Sequence, residues 1–433
     1  MKKSFVLLLI CMIMLTACGS NSGTKNNAEA GNAGTEKAKE ITIWAWDPAF
    51  NIAALEVAKK EYAKTNPDVK VNIIEYAQND IIQKLNTGLN SGTTKGLPNI
   101  VLIEDYRSQS FLQSYKDSFY DLSSSIKGSD FADYKSGPTS LDGKQYGVPF
   151  DSGVTGLYFR TDYLEQAGYK LADLQDIDWK QYIEIGKKIK EKTGKALLSL
   201  DPNDLGLVRM MIQSAGSWYL KEDGKTPDIA GNAALKEAFE IYKEMTEANV
   251  GKVNADWSQY VASLNNGDIA STATGNWITP SITAEATQSG KWGIAPIPKL
   301  AGNDKSVHAS NLGGSSWYVM NVDGKETAAD FMATTFGSNK EMYQTLLTDI
   351  GVIGTFKPAT SGEAYGKAND FFGGQKVVSD FSKWTEQIPS VNYGINTYAI
   401  EDILIVEMQN YLNGKDIDKV LSDAQAQAES QIK

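Results

Sequence analysis

Ile41-Thr42-Ile43-Trp44-Ala45-Trp46, running into Asp47-Pro48, opens a pattern that reads as alternating strands and helices. The first six residues are β-rich, and Asp47-Pro48 ends them. Downstream, Ile52, Leu55, Ala58 and Tyr62 recur at a helical period, and Asn66-Pro67 stops that helix. Val69 to Ile74 alternates as a strand, Ile81 to Leu89 is helical, and Asn99-Ile100-Val101-Leu102-Ile103 is an apolar strand ending in Glu104-Asp105-Tyr106. Strand, helix, strand, helix, strand predicts an α/β lobe with a largely parallel sheet. Ligands of such sheets sit beyond the carboxyl ends of the strands. Those ends present Trp46-Asp47, Tyr76 and Glu104-Asp105-Tyr106.

The pattern continues outward. A strand at Tyr146 to Pro149 leads into Asp151-Ser152-Gly153, and helices are expected over 179–193, 205–214 and 233–248. A short helix at 261–264 and short strands at 268–272 and 291–294 follow, then a glycine-interrupted strand over 311–321. Helices are expected at 327–336, 342–347, 397–412 and 416–431. No internal repeat and no Ser/Pro-rich linker interrupts the body, so its lobes are expected to be joined by short, ordered crossovers. Its length suits two or three domains.

Before residue 41 the chain reads differently. Lys2 and Lys3 precede an apolar stretch from Phe5 to Leu15 that is too short for a membrane span, and small residues follow at a cut site. The two cysteines are Cys11 and Cys18. Cleavage before Cys18 removes the first and leaves the second as the leading mature residue, with no thiol in the folded body. Residues 19–40 hold no large apolar side chain and suit a flexible tether. Leu15-Thr16-Ala17-Cys18 resembles a bacterial lipobox, which implies lipidation at Cys18.

Composition narrows the chemistry. A net charge of −11 argues against nucleic acid, whose phosphates need a basic surface. The single histidine, His308, lies between Ser306 and Ser310 and reads as a polar loop residue. HExxH, GxSxG, P-loop and GxGxxG patterns are absent. Asp201-Pro202-Asn203-Asp204-Leu205-Gly206 begins like a calcium loop but fails at Leu205 and Ile212. No catalytic residue, cofactor or metal is expected. Nine Trp and twenty Tyr are many. Aromatic faces cover the C–H faces of a pyranose while carboxylates and amides bond its hydroxyls, although a tryptophan also packs readily in a core. Trp218-Tyr219 after Gly216 are candidates of this kind. Asp47, Asp105 and Asp151 equally suit helix caps or turns.

Several ordered motifs resemble the family 1 extracellular solute-binding proteins of bacterial ABC importers, the family of maltose-binding protein. They are Ile41-Thr42-Ile43-Trp44; Leu97-Pro98-Asn99-Ile100-Val101, with Asn99 where Asp is usual; Asp142-Gly143-Lys144-Gln145-Tyr146-Gly147-Val148-Pro149; and Tyr158, Arg160 and Asp162. Asn265-Asn266-Gly267-Asp268-Ile269-Ala270, Gly275-Asn276-Trp277 and Trp292-Gly293-Ile294-Ala295-Pro296-Ile297-Pro298 complete the set. The resemblance implies an α/β, two-lobed periplasmic-binding-protein-like (type II) fold with a hinge between lobes. Carried over, 1–17 is a lipoprotein signal peptide, 18–40 the lipidated cysteine and tether, 41–150 plus 314–365 the N-terminal lobe, and 151–313 plus 366–433 the C-terminal lobe.

It further implies a monomeric lipoprotein on the extracytoplasmic face of the cell membrane, held through its lipid anchor only. Such a protein captures a carbohydrate, with aromatics leaning toward an oligosaccharide, and delivers it to the membrane permease subunits of an ABC importer. The ligand-binding residues so implied are Trp46, Asp47, Asp105, Asp151, Trp218, Tyr219, Asn276, Trp277, Gly314 and Ser315. Trp277 matches the family's cleft tryptophan. The alternatives are a lipid-anchored extracellular glycoside hydrolase, which needs two carboxylates about 5–10 Å apart, and a polysaccharide-binding surface protein.

Overall fold

The computed structural model describes residues 38–254 and 256–432. The signal segment, Cys11, Cys18 and most of the tether lie outside them.

The opening stretch forms the strand Glu40–Ala45, flanked in parallel by Lys70–Glu75 and Ile100–Glu104. Two antiparallel strands complete this five-stranded sheet: Ser315–Val319 beside Ile100–Glu104, then Gly147–Pro149 at the edge. A segment more than 200 residues downstream therefore returns to the first sheet. Period-two alternation sorts the side chains into two cores. Ile41, Ile43, Ile100, Leu102, Trp317 and Val319 join one, and Trp44, Val101, Ile103, Tyr318 and Met320 join the other. Both faces are covered, which explains why residues 100–103 read as an unbroken apolar run. Helix Ala53–Ala63 lays Ala54, Leu55, Ala58 and Tyr62 on the first face. Helix Gln78–Asn90 lays Ile81, Leu85 and Leu89 on the second.

Asn99 departs from the family pattern for a visible reason. Its Oδ1 accepts from the Thr42 N–H at 2.9 Å while its Nδ2 donates to the Asp323 carbonyl at 2.7 Å. An aspartate could accept but not donate.

The second lobe is built on a different sheet. Thr155–Arg160 runs between Ser271–Gly275 and Trp292–Ala295, all antiparallel, and a parallel pair joins Leu198–Leu200 to Gly251–Val253. The expected strand at 268–272 thus lies at 271–275. Trp179–Thr193 is the expected helix. Asp178 accepts from the Gln181 N–H, Gln181 accepts from the Asp178 N–H, and Gly194 at φ 70° closes the far end. Asp178→Ala removes half of that reciprocal pair, and unfolding in urea is expected to show a loss of about 1 kcal/mol. Asp176 accepts instead from Lys299 and His308, both at 2.9 Å, which accounts for the lone histidine. The helices Asp105–Tyr115 and Val377–Thr385 were not read from sequence. The first follows its strand with no intervening loop, so no turn residue marks it.

The two sheets meet where the chain passes between them. Asp151 bridges to Gly354 and Val154 to Asn311. Gly313 and Gly314 have φ of 83° and 85°, a region costly for other residues. A Cβ on Gly153 would lie 2.5 Å from the Leu312 carbonyl oxygen, so this crossing admits only glycine without movement.

Candidate functional site

Between the two sheets lies a cleft of about 1070 Å³, just above the range of about 300–1,000 Å³ typical of small-molecule sites. Its first wall is the carboxyl end of the five-stranded sheet. Trp46 and Asp47 leave the strand Glu40–Ala45, Glu104 ends its neighbour, and Asp151, Gly314 and Ser315 come from the crossovers. The second wall carries Trp257, Tyr260, Thr274 and Trp277, with Asp201, Asp204 and Arg209 beside them.

Asp47 is exposed and held at φ 62°, its Oδ1 accepting from the Ala49 N–H at 3.1 Å. This short local bond caps the single-turn helix Pro48–Ile52 and offsets a strained backbone. Asp151 is buried at the floor. Its Oδ1 accepts from both the N–H and the Oγ–H of Ser315, each at 2.7 Å. The two crossovers are thus tied together where they line the cleft.

Trp277 is half-buried. Its Nε1–H donates to the Leu312 carbonyl at 2.8 Å, which fixes the indole plane. Gly275 makes that pose possible, because a Cβ there would come within 2.1 Å of the indole nitrogen. The Trp257 ring lies 5.7 Å from that of Trp277 at 45°, and Trp257 is 53% exposed. Two indoles of one wall therefore present an aromatic surface to the cavity. Tyr260 sits one turn along from Trp257, its hydroxyl 2.7 Å from Thr272 Oγ1.

Four expected residues do not face the cleft. Asp105 is fully buried beneath the floor, where Oδ2 accepts from Lys135 Nζ at 2.5 Å and Oδ1 from Ser316 Oγ at 2.9 Å. Burial pushes its carboxyl up to about 6, against the pull of the Lys135 ammonium. One residue earlier, Glu104 does line the cavity, accepting from the Tyr398 hydroxyl at 2.7 Å. A shift of one position at the strand end exchanges cleft for core. Trp218 and Tyr219 are core residues. Gly216, at φ 65°, ends the helix Gly206–Ser214 and turns the chain inward. Trp218 then stacks on Tyr106 at 5.5 Å and donates its Nε1–H to Thr397. Asn276 is a buried turn residue, its N–H donating to the Val154 carbonyl and its own carbonyl accepting from Thr279 Oγ1.

The sequence reading does not single out Trp257, Tyr260 or Arg209, and at the strand end Glu104-Asp105-Tyr106 it selects Asp105 instead of Glu104. Trp257 carried a usable signal: Asp256 followed three residues later by Gln259 is a helix-start signature, and the structure shows that cap. It places Trp257 at the first helical position but does not by itself expose the ring, since Trp179 holds the same position after Asp178 and is fully buried. Arg209 had no comparable signal within a buried apolar helix.

The profile of the bacterial extracellular solute-binding proteins matches residues 58–373. The chain belongs to this family. A lactose-binding protein of Rhizobium radiobacter is 46% identical over 396 residues, covering 91% of this chain and 93% of that one. An arabinooligosaccharide-binding protein of Bacillus subtilis is 27% identical over 363 residues, 80% of each chain. Among solved structures, the GacH receptor of Streptomyces glaucescens superposes with a TM-score of 0.75 at 17% identity, covering 92% of this chain and 99% of that one. The galacto-N-biose-/lacto-N-biose I-binding protein from Bifidobacterium longum gives 0.73 at 20% identity, over 90% and 96%. These likenesses give this solute-binding protein the two-lobed fold of its neighbours, with the cleft between the lobes.

Proposed function

We propose that this solute-binding protein is the sugar-capturing subunit of an ABC importer and that lactose, or a disaccharide close to it, is its ligand. One observation carries the reading: an indole pair, Trp257 and Trp277, stands in a cleft whose opposite wall is rimmed by Asp47, Glu104 and Asp151. Flat rings cover the apolar faces of a pyranose and the carboxylates accept its hydroxyls. A hydrogen bond to a charged group contributes about 1.5–3 kcal/mol, so a few such bonds with stacking reach micromolar affinity, about −8 kcal/mol. The extent of the match to a lactose-binding protein supports the choice of sugar. Closure of the lobes about the crossovers would enclose the guest, and both lobes would contribute to the preference for the closed state.

Calorimetric titration with lactose, maltose and an arabinooligosaccharide tests this. Lactose is expected to bind at micromolar Kd and more tightly than the other two; an absence of lactose binding refutes the assignment. No new reducing ends should form during long incubation, and hydrolysis would support the glycosidase reading instead.

The location outside the cytoplasm follows from the family. Anchoring through Cys18 is part of the proposal, since two or more acyl chains suffice for stable membrane attachment. Cys18→Ser should move the protein from the membrane pellet to the soluble fraction, as read by fractionation and immunoblot. An unchanged distribution would remove the lipid anchor from the account.

A further inference from the structure

We propose that the cleft also selects by charge, taking neutral saccharides and rejecting those that carry a phosphate, sulfate or carboxylate; this deepens the sugar-binding reading and rests on it. Carboxylates stand on both walls, Asp47, Glu104, Asp151 and Asp349 (in the helix Lys340–Ile350) on one and Asp201, Asp204 and Asp256 on the other. Among the described residues that line the cleft, Arg209 is the one base, and its charge is already committed.

Arg209 Nη1 donates to both carboxylate oxygens of Glu401, at 2.7 and 2.6 Å, and Nη2 to Asp204 at 3.3 Å. Its side chain is only 9% exposed. The guanidinium lies 5.2 Å from the Tyr106 ring centroid and 5.7 Å from that of Tyr398, so it is packed as well as paired. Two bases adjoining the acids of the first wall are occupied too. Arg107 lies 3.8 Å from the Tyr398 ring centroid and 3.5 Å from Glu104. Lys135, under the floor, is fully buried on Asp105.

An anionic group entering this cleft loses water and finds acids without an available counter-charge. A cleft lined by one sign of charge focuses that repulsion. Hydroxyls meet the opposite situation, because every carboxylate is a strong acceptor for them. Neutral sugars are thus drawn in by the groups that turn anions away.

Matched ligands test the idea: methyl β-lactoside against lactose 1-phosphate, and methyl maltoside against maltose 1-phosphate. Each pair keeps both rings and differs at the anomeric group. At about 10 mM salt, where the Debye length is about 30 Å, the phosphate of a pair that binds should be at least tenfold weaker by calorimetry. The gap should narrow toward 1 M salt, where that length is about 3 Å. Asp201→Asn, Asp256→Asn and Asp349→Asn combined should narrow it at least threefold, with folding checked by melting. Equal affinity within a pair, or a gap indifferent to both salt and these substitutions, overturns charge selection even if lactose binds. If only the maltose pair binds, the lactose assignment fails while charge selection is still measured.

Discussion

Lys135→Met is expected to destabilise the protein by about 3–5 kcal/mol, the cost of removing one partner from a buried ion pair. Lys135 Nζ donates to Asp105 Oδ2, to the Ser315 carbonyl at 2.8 Å and to the Asp151 carbonyl at 3.2 Å, with no exposed surface. One ammonium thus joins the end of the third strand to both crossovers. Methionine fills much of the volume but leaves a buried carboxyl and two carbonyls without their donor. Thermal melting should show a fall of about 6–10 °C, taking roughly 2 °C per kcal/mol for a chain of this size. The double variant K135M/D105N should recover part of the loss, because the stranded charge goes with its partner. A single-variant cost under 1 kcal/mol would mean that this pair does not hold the crossovers together.

Trp277→Ala is expected to weaken sugar binding at least tenfold, about 1.4 kcal/mol or more. The indole is fixed by its bond to Leu312 and presents its ring beside that of Trp257. Because Trp277 is only half-buried, the unliganded melting temperature should fall less than in Lys135→Met. Calorimetry with lactose reads the first effect and scanning calorimetry the second. Unchanged affinity would place the sugar elsewhere in the cleft. A melting collapse comparable to that of Lys135→Met would make Trp277 a packing residue.

These two residues differ in how much their neighbours in sequence reveal of them. Trp277 stood out through Gly275-Asn276-Trp277, and the structure explains the glycine: nothing larger fits against the indole nitrogen. Lys135 was invisible, since a lysine between Tyr134 and Ser136 looks like any surface cation. Trp218 misled because Gly216 beside it resembled a loop tip, whereas the left-handed glycine turns the chain into the core. Asp105 misled by one residue: the helix begins at once after the strand, so Glu104 faces the cleft and Asp105 the interior.

The order of residues alone set the alternation of strands and helices and the apolar run at 100–103 in the first sheet. Each of these follows from periodicity within a few residues. Which acids and rings reach the cleft was decided only in three dimensions. Lys135 finds Asp105 thirty positions away and Ser315 at a distance of 180, Arg209 finds Glu401 across 192, and Trp257 meets Trp277 through two separate elements. The reason is physical: a polar or aromatic side chain enters the interior only where distant partners satisfy it, and local pattern carries no record of those partners.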